Sequence, residues 1–417
     1  MKYLNYAESC LEIEQVSIER ITVNHLTPFY CYSKKLLIEN ISDFFEGVKI
    51  LNPKVCYSLK ANSNISLLKL LSSYGAGADV VSEGEFRKAI ESGIKPSDIV
   101  FSGVGKTDEE LAFAIENNCF QINIESGSEI LRIDSIANQM SKTQNIAIRL
   151  NPDVDSNTHE KITTGTKENK FGIPLQEALE VFKNKSKFKN VNLNGIAVHI
   201  GSDIKTLNPF LETLKILRNF CEKVRSLGIE LNTIDLGGGL SPVEREFDIK
   251  EFALAAKKEL GEFNAQFIFE PGRIISADAG ILVTKIVSIK DSGAKKFIIV
   301  DAGMNDLIRP ALYGASHKIL PIKENIEISK IPTEIVGPIC ESSDSFLKIE
   351  EFPDVKEGDF LVIMNAGAYG SSMSSNYNIR PLAAELLIDK DRVEIIRNKQ
   401  SFAELFHNEI EISNSKK

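Results

Sequence analysis

The stretch that decides the fold runs from Lys54 to Ser102 and reads KVCYSLKANSNISLLKLLSSYGAGADVVSEGEFRKAIESGIKPSDIVFS. It holds three short apolar runs, with amphipathic helical patterns between them at 65–73 and 84–92. Strands that alternate with helices pair in parallel, because each helix returns the chain to the same edge of the sheet. The stretch therefore predicts repeated β-α units.

The same alternation continues outward to residue 273. The strand-like runs number eight and lie at 54–59, 78–82, 99–102, 120–124, 145–150, 195–200, 233–236 and 266–269. Further helical patterns lie at 108–117, 207–227 and 249–260. Eight β-α units predict a closed (β/α)8 barrel of the TIM type, and a doubly wound open sheet is the alternative.

The pattern changes after residue 280, where strand-like runs follow one another with few helical patterns between them. These runs lie at 280–288, 296–301, 333–337, 360–364, 383–388 and 393–396. The first 30 residues fit no barrel repeat. The sequence therefore predicts an α/β plus β protein, with a barrel over 31–279 and a second, mainly β domain built from 280–417 and the N-terminal segment 1–30.

Composition excludes several classes of protein. The 417 residues include 49 Lys and Arg against 58 Asp and Glu, and the formal net charge of −9 argues against a nucleic-acid partner. No apolar run approaches the roughly 18 residues of a membrane span. The six cysteines lie far apart, and no pair has metal-ligand spacing. We therefore expect a cytoplasmic enzyme that acts on a small molecule, without a metal, a nucleic acid or a membrane as partner.

Catalytic groups of a (β/α)8 barrel lie at the C-terminal ends of its strands, whatever the reaction. The residues at those ends are Lys60, Glu83, Gly103, Glu125, Arg149 with Asn151, His199, the glycines at 237–239, and Glu270 with Arg273. A lysine, a histidine, a glycine loop and an acidic-basic cluster together indicate a phosphorylated, electrophilic cofactor.

Three glycine-containing stretches resemble anion-binding loops. Ser102-Gly-Val-Gly-Lys-Thr107 lacks the first glycine of a P-loop, since Val100 stands at that position. Gly75-Ala-Gly-Ala-Asp79 has Val80 where a dinucleotide fingerprint needs its third glycine. Asp235-Leu-Gly-Gly-Gly-Leu240 remains a candidate for phosphate binding, because backbone N–H groups without side chains can approach an anion closely, and a simple tight turn is the other interpretation.

Seven motifs together identify a family. Five of them are Tyr57-Ser-Leu-Lys-Ala-Asn62, His199-Ile-Gly-Ser202, the glycines at 237–239, Glu270-Pro-Gly-Arg273 and Cys340-Glu-Ser-Ser-Asp344. In this order and spacing the chain resembles the pyridoxal-phosphate-dependent decarboxylases of the alanine-racemase fold type. Asp301-Ala-Gly-Met-Asn-Asp-Leu-Ile-Arg-Pro-Ala-Leu-Tyr313 and Asn365-Ala-Gly-Ala-Tyr369 narrow the resemblance to the diaminopimelate decarboxylases. Small departures from the family pattern are Ser58, Leu59 and Asp203.

The resemblance implies a role for each residue that would bind the cofactor, pyridoxal 5'-phosphate. Lys60 would form the Schiff base with the cofactor aldehyde, His199 would stack on the ring, and Glu270 would pair with the pyridine nitrogen. Asp79 and Arg149 would support the ring and the lysine. The remaining cofactor contacts would come from Ser202, Gly239, Pro271, Gly272, Arg273 and Tyr369.

The resemblance also implies how a substrate with a distal carboxylate is bound, since arginine offers a bidentate fork to such a group. The substrate contacts would come from Arg273, Arg309, Tyr313, Glu341 and Tyr369. Cys340 would donate the proton that replaces carbon dioxide. In the family Cys340 and Glu341 come from the neighbouring subunit, which implies a homodimer with composite active sites.

The expected reaction is the decarboxylation of meso-2,6-diaminopimelate to L-lysine, the last step of lysine biosynthesis. One alternative is decarboxylation of another basic amino acid, such as ornithine, arginine or carboxynorspermidine, although the residues at 309–313 argue against ornithine. A racemase would use a tyrosine base in place of the Cys340-Glu341 pair. A catalytically inactive regulatory homologue is the alternative outside enzymes, and it should have lost Lys60 or Cys340.

Overall fold

The computed structural model describes residues 2–154, 170–325 and 327–409. The chain divides into two compact units, a barrel unit from Leu37 to Asp278 and a β unit made of Met1–Leu36 and Ala279–Lys417. The sequence places the first boundary at 30/31 instead. That position falls inside the strand Phe29–Ser33, which pairs throughout its length within the β unit.

The barrel unit contains eight parallel strands that close on themselves. In chain order they are Lys54–Ser58, Gly77–Val80, Ile99–Phe101, Gln121–Ile124, Gln144–Asn151, Val191–Ala197, Thr233–Asp235 and Gln266–Phe269. Each strand pairs with the next, and the last pairs with the first. This ring confirms the predicted closed (β/α)8 barrel and rules out the open sheet.

Helices follow the barrel strands, and several begin at side-chain caps that satisfy their first backbone N–H groups. Thr107 and Asp248 each form a reciprocal capping box with a glutamate three residues later. The helices are Lys34–Val48, Ile65–Ser73, Glu83–Glu91, Asp108–Glu116, Gly127–Gln139, Leu175–Lys183, Asn208–Ser226, Ile249–Leu260 and Arg273–Ser276. Single 3-10 turns lie at Lys49–Leu51, Pro96–Asp98, Lys185–Lys187 and Gly261–Phe263, and a two-residue strand, Ile173–Pro174, pairs with the end of Gln144–Asn151.

The β unit is built around the long strand Gly280–Asp291. It pairs antiparallel with Phe29–Ser33, Phe360–Ile363 and Lys296–Val300. Phe29–Ser33 also pairs in parallel with Ala384–Asp389, so the N-terminal segment is part of this sheet, as predicted.

The remaining strands are Leu4–Ala7, Cys10–Ile13, Val16–Ser17, Ile319–Pro321, Ile328–Ser329, Thr333–Val336, Ser345–Ile349, Phe352–Pro353 and Arg392–Arg397. The short helices of the unit are Ile18–Asn24, Arg309–Tyr313 and Phe402–Phe406, with 3-10 turns at Ser371–Met373 and Tyr377–Ile379. Within the described ranges, the structure has no helix of the length and apolarity needed to cross a membrane.

Candidate active site

Lys60 lies at the mouth of the barrel, just beyond strand Lys54–Ser58. Its Nζ is 3.3 Å from Oδ2 of Asp79, a carboxylate that is completely buried on the neighbouring strand. The same oxygen accepts a 2.6 Å hydrogen bond from Ser58 Oγ. The other oxygen, Asp79 Oδ1, is buried without a hydrogen-bond partner among the described residues. Lys60 therefore has a fixed carboxylate partner in Asp79. The second oxygen of that carboxylate can accept a hydrogen bond from a further donor.

Glu270 follows the last barrel strand and lies near a second buried carboxyl group, Asp235. Both groups also accept from Asn123 Nδ2, at 3.1 Å to Asp235 Oδ2 and 3.4 Å to Glu270 Oε1. Burial, with the charges of Asp235 and Asp79, raises the pKa of Glu270 well above its usual value, and burial raises the pKa of Asp235. Two buried carboxyl groups that share one amide donor repel each other when both are ionised, which favours a proton on this pair.

A chain of buried polar groups inside the barrel orients Asn123. Its Oδ1 accepts from Gln121 Nε2 at 2.8 Å, and Gln121 Oε1 accepts from Thr233 Oγ1 at 2.6 Å. Asn123 Nδ2 is thereby directed at the two carboxyl groups and at Ser102 Oγ, 3.1 Å away. These residues are not among those that the sequence predicts. Their signal is the alternation of polar and apolar residues on strand Gln121–Ile124, because residues two apart point to the same side.

Lys106, the lysine of the rejected P-loop stretch, has a structural role in the barrel. Its buried Nζ is 2.8 Å from the carboxylate of Glu129 and donates to the carbonyl oxygens of Gly103 and Asn123, at 2.5 and 2.9 Å. The two carbonyl oxygens accept hydrogen bonds from the ammonium group, and the nearby carboxylate of Glu129 balances its charge. Lys106 is therefore held inside the barrel by contacts within the protein.

His199 lies at the barrel mouth beside the glycine loop. Its Nδ1 accepts the N–H of Gly238 at 3.3 Å, which places the proton of the neutral ring on Nε2. Burial and the positive charges of Lys60 and Arg149 lower the pKa of His199 well below its usual value. The ring is therefore uncharged at neutral pH and offers a flat aromatic face.

The glycines at 237–239 allow three strand-end loops to pack against one another. A β-carbon on Gly238 would lie 2.2 Å from the carbonyl oxygen of Glu270, and one on Gly239 would lie 2.2 Å from that of Gly201. Gly239 also has a φ of +91°, a conformation that favours glycine. The triple glycine is thus required by close backbone packing, in addition to any role in binding an anion.

The residues that the resemblance assigns to the phosphate meet between two barrel loops. Arg273 Nη2 and Nε lie 3.1 and 3.4 Å from Ser202 Oγ. The carbonyl of Pro271 accepts the N–H of Ser58 at 3.0 Å, and a β-carbon on Gly272 would lie 3.1 Å from the Ser58 side chain. The turn at 271–272 is therefore held against the strand that leads to the candidate lysine.

Leu59 and Asp203, the other two departures from the family pattern, form contacts with neighbouring parts of the barrel unit. Leu59 is completely buried, and its N–H donates to the carbonyl of Asp79 at 3.0 Å. Asp203 has a φ of +64°, and its Oδ1 accepts from Ser241 Oγ at 2.8 Å. The carboxylate of Asp203 is therefore tied to the loop that follows the triple glycine.

Arg149 supports the barrel mouth from strand Gln144–Asn151. Its Nη1 is 2.6 Å from Glu125 Oε1, and its guanidinium packs 4.8 Å from the centre of the Phe171 ring. Glu125 Oε2 accepts the N–H of Gly172 at 2.7 Å. The guanidinium of Arg149 is thus held by Glu125 and Phe171. Its positive charge affects the barrel mouth, where it lowers the pKa of His199.

Arg309 and Tyr313 begin and end a five-residue helix of the β unit. Their spacing places both side chains on one face, and both residues are half-buried. Gly314, with a φ of +61°, terminates the helix in the left-handed conformation. Arg309 Nη1 lies 3.2 Å from Nε2 of the buried His317.

Cys340 and Glu341 lie on an exposed loop of the β unit. The backbone N–H of Cys340 donates to Asn378 Oδ1 at 3.1 Å, and the Tyr377 hydroxyl donates a short hydrogen bond to Glu341 Oε1. The hydrogen bond and the charge of Glu341 raise the pKa of Tyr377. Tyr377 and Asn378 are further residues that the sequence does not predict, and they hold this loop from a distant part of the chain.

Asp344 anchors the other end of the Cys340 loop. Its buried carboxylate accepts the N–H groups of Met304 and Ile339, each at 2.7 Å. The loop is therefore tied to the segment that leads into the Arg309 helix.

Tyr369 lies in a turn that comes after strand Phe360–Ile363. It is half-buried and has a φ of +55°, as does Asn365. A positive φ is costly for a bulky residue and is concentrated at functional sites. Its conformation marks Tyr369 as a candidate functional residue of the β unit.

Comparisons with known proteins extend this geometry. Residues 37–277 match the family described as "Pyridoxal-dependent decarboxylase, pyridoxal binding domain". The diaminopimelate decarboxylase of Aquifex aeolicus is 42% identical over 406 residues, which cover 96% of this chain and 96% of the relative.

Two solved structures show the same similarity in three dimensions. Diaminopimelate decarboxylase from Helicobacter pylori, complexed with L-lysine, superimposes with a TM-score of 0.90 at 40% identity and covers 94% of this chain and 98% of that one. The enzyme of the same name from M. jannaschii gives a TM-score of 0.92 at 34% identity, with 99% and 98% covered. The similarity therefore includes both the barrel unit and the β unit.

Proposed function

This chain belongs to the pyridoxal-dependent decarboxylases, and on that premise we propose that it removes the carboxylate at the D-configured centre of meso-2,6-diaminopimelate. The products are L-lysine and carbon dioxide. The observation that carries the proposal is the similarity to diaminopimelate decarboxylases over nearly the whole chain, at 40–42% identity in bacterial relatives. The structure of one such enzyme with L-lysine supports the choice of product.

The barrel mouth fits pyridoxal phosphate on three observations. A lysine amine stands beside a buried carboxylate, Asp79, whose Oδ1 lacks a hydrogen-bond partner within the described residues. A carboxyl pair, Asp235 and Glu270, holds a proton on the same unit. The loops at 237–239 and 271–272 present backbone without β-carbons, which suits a phosphate.

The following contacts to the cofactor come from the barrel unit in this proposal. When bound, pyridoxal phosphate accepts the electron pair that remains when carbon dioxide leaves. Lys60 would bind it covalently through its side-chain nitrogen, and the buried carboxylate of Asp79 would stabilise positive charge at that nitrogen. Glu270 would hold a proton at the ring nitrogen, and the neutral ring of His199 would offer its face to the cofactor. Ser202, Gly239 and the backbone N–H groups of Gly272 and Arg273 would hold the phosphate, and Pro271 would be a further cofactor contact in the same turn.

The β unit supplies the substrate contacts in this proposal. Arg309 and Tyr313 hold the distal carboxylate, because a guanidinium fork and a hydroxyl donate to its two oxygens. Glu341 holds the distal amine. Further contacts come from Arg273 and Tyr369.

The thiol of Cys340 gives the proton that takes the place of carbon dioxide on the substrate carbon. Its exposed loop suits a residue that acts in a neighbouring subunit. We assign the protein to a homodimer in which each composite active site uses the barrel of one chain and Cys340 of the other.

The reaction is the last step of lysine biosynthesis, and we place it in the cytoplasm. All six cysteines are unpaired thiols, as expected in a reducing compartment. Burial raises the pKa of Cys119 and Cys221 to about 12, so these two thiols stay protonated and inert.

The proposal is tested at Lys60. The purified protein with pyridoxal phosphate should release one carbon dioxide per diaminopimelate and form L-lysine, and borohydride should trap the cofactor on the peptide that contains Lys60. Lys60→Ala should keep the fold and lose turnover by several orders of magnitude, because no other residue replaces the covalent contact. Lys54→Ala, at the opposite end of the same strand, is the matched control. Trapping on another lysine, or turnover that survives in Lys60→Ala, would refute the assignment.

A further inference from the structure

Arg309 is oriented by a contact that the proposed function does not use. Its Nη1 lies 3.2 Å from Nε2 of His317, and Nδ1 of the same ring lies 2.7 Å from the carbonyl oxygen of Met364. His317 is 1% exposed, so its ring has little freedom to turn. The imidazole bridges the guanidinium and the backbone of the β unit.

The partners of the ring decide its protonation. A guanidinium group has only N–H donors, so His317 Nε2 must accept from Arg309. A carbonyl oxygen only accepts, so Nδ1 must carry the proton that is donated to Met364. The imidazole is therefore neutral with its proton on Nδ1, since a second proton on Nε2 would set two donors against each other.

The anchor of this bridge belongs to the central sheet of the β unit. Met364 directly follows strand Phe360–Ile363, and its N–H donates to the carbonyl of Lys318 at 2.9 Å. The strand that begins directly after Lys318, Ile319–Pro321, pairs antiparallel with Phe360–Ile363. The hydrogen bond to Met364 thus holds His317 against a paired strand. The hydrogen bond from Arg309 to His317 in turn holds the guanidinium of Arg309, which lies on a short helix.

We propose that His317 is a positioning residue that fixes the guanidinium of Arg309 and thereby sets the preference of this site for ligands with a distal carboxylate. The proposal rests on the assignment of Arg309 to that carboxylate under the proposed function. A bidentate contact requires the planar guanidinium to be held at one angle, and an arginine side chain without such support has many rotamers.

Two substitutions separate the two hydrogen bonds of His317. Asparagine carries its N–H close to the position of Nδ1, so His317→Asn keeps a donor for Met364 and removes the acceptor for Arg309. Glutamine reaches the position of Nε2, so His317→Gln keeps an acceptor for Arg309. Replacing the exposed His407 by Asn is the matched control for the substitution itself.

The test uses two inhibitors of the holoenzyme that differ only in the carboxylate at issue. L-Lysine retains the carboxylate that Arg309 would bind, and cadaverine is the same molecule without it. We expect His317→Asn to raise the inhibition constant of L-lysine and the KM for diaminopimelate by about 10-fold, the lower end of what a charged hydrogen bond contributes. The inhibition constant of cadaverine and the visible absorption of the bound cofactor should not change.

His317→Gln should bind L-lysine within about threefold of the parent, because it restores an acceptor at the same place. In an Arg309→Lys background, His317→Asn should have little further effect, since coupled residues are not additive. Loss of cadaverine and L-lysine binding to the same degree, or no change in L-lysine binding, would overturn the proposal. If His317→Asn does not fold, a 10-fold loss of L-lysine binding in folded His317→Gln would overturn it equally.

Failure of the proposed function would be visible in the parent protein. A parent that binds cadaverine as tightly as L-lysine has no carboxylate site at Arg309, and the positioning role of His317 falls with it. A parent that discriminates between the two, with variants that do not differ from it, refutes only the role of His317.

Discussion

At the scale of single residues, burial and neighbouring charge decide which groups of this protein carry protons. The same low-dielectric surroundings that keep His199 neutral leave a proton on the pair Asp235 and Glu270, because burial disfavours the charged form of either kind of group. Burial has the same effect on Asp306, a residue of the β unit that is not assigned to the reaction. Burial raises its pKa to about 6 from the ordinary 3.8.

Asp306→Asn should therefore change the pH dependence of stability. The folded state binds the Asp306 proton more tightly than the unfolded state, so the free energy of unfolding falls as the pH rises from about 4 to about 6. Asparagine removes this ionisation and still offers an oxygen to the N–H of Gly303, which Asp306 Oδ2 accepts at 3.0 Å. We expect the variant to gain up to about 3 kcal/mol on the parent between pH 4 and pH 8.

Denaturant unfolding of both proteins across this pH range measures the gain. Asp389→Asn is the control with the opposite sign, because an ion pair with Lys34 lowers the pKa of Asp389. A difference between Asp306→Asn and the parent that stays constant with pH would contradict the assignment.

At the scale of elements, the barrel strands carry the site on their ends and a polar network between them. The side chain of Asn123 donates hydrogen bonds to Ser102, Asp235 and Glu270, which lie at the ends of three other barrel strands. Gln121 fixes the orientation of Asn123. Buried networks of this kind stabilise only while every member keeps its partners. The network makes the position of Glu270 depend on residues outside the predicted site.

Asn123→Leu should destabilise the barrel and weaken cofactor binding. Leucine has a similar volume but leaves buried oxygens of two carboxyl groups and a hydroxyl without their donor, at a cost of about 3 kcal/mol or more. We expect a lower thermal midpoint for the cofactor-free protein and a higher dissociation constant for pyridoxal phosphate. Asn192→Leu, at an exposed position of another barrel strand, should change neither. Equal effects of the two substitutions would show that the network has no special role.

The sequence predicts the barrel strands well because each is an apolar run of the right length, but it misplaces the sixth. The strand is Val191–Ala197, whereas the apolar run indicates 195–200. Val198 and Ile200 are buried in the loop that carries His199, and Asn192 points to solvent. An apolar run in the sequence indicates that the residues are buried, but it does not show that they pair in a sheet. A buried loop therefore has the same sequence pattern as a strand.

The candidate site shows a similar limit of sequence. Strand-end reasoning finds Lys60, His199 and Glu270, because the chemistry of such groups is visible in one residue. Asn123 and His317 also contact partners that are distant in the chain, namely Asp235, Glu270 and Met364, and no local pattern reveals those contacts. Only the folded chain brings these partners together.

At the scale of the whole molecule, the residues assigned to the reaction are divided between two units. The barrel unit carries Lys60, His199 and Glu270, and the β unit carries Arg309 and Cys340. In the proposed homodimer, a complete site combines the barrel of one chain with Cys340 of the other.

Subunit exchange tests this division. Lys60→Ala and Cys340→Ala should each be inactive as pure proteins. In an isologous dimer with composite sites, a mixed dimer holds one intact site and one doubly defective site. After random exchange of equal amounts, about a quarter of the parent activity should return. No recovery after verified exchange would mean that both residues act within one chain.

The preference for diaminopimelate over other basic amino acids is the most direct test of the proposed activity. The measurement is kcat/KM for meso-2,6-diaminopimelate, lysine, ornithine and arginine, in the parent and in Arg309→Lys. We predict that the parent strongly prefers diaminopimelate, and that Arg309→Lys lowers this one value by roughly 10- to 150-fold, because lysine keeps the charge and loses the bidentate fork. A parent that prefers ornithine or arginine, or diaminopimelate turnover that is unchanged in Arg309→Lys, would contradict the substrate assignment.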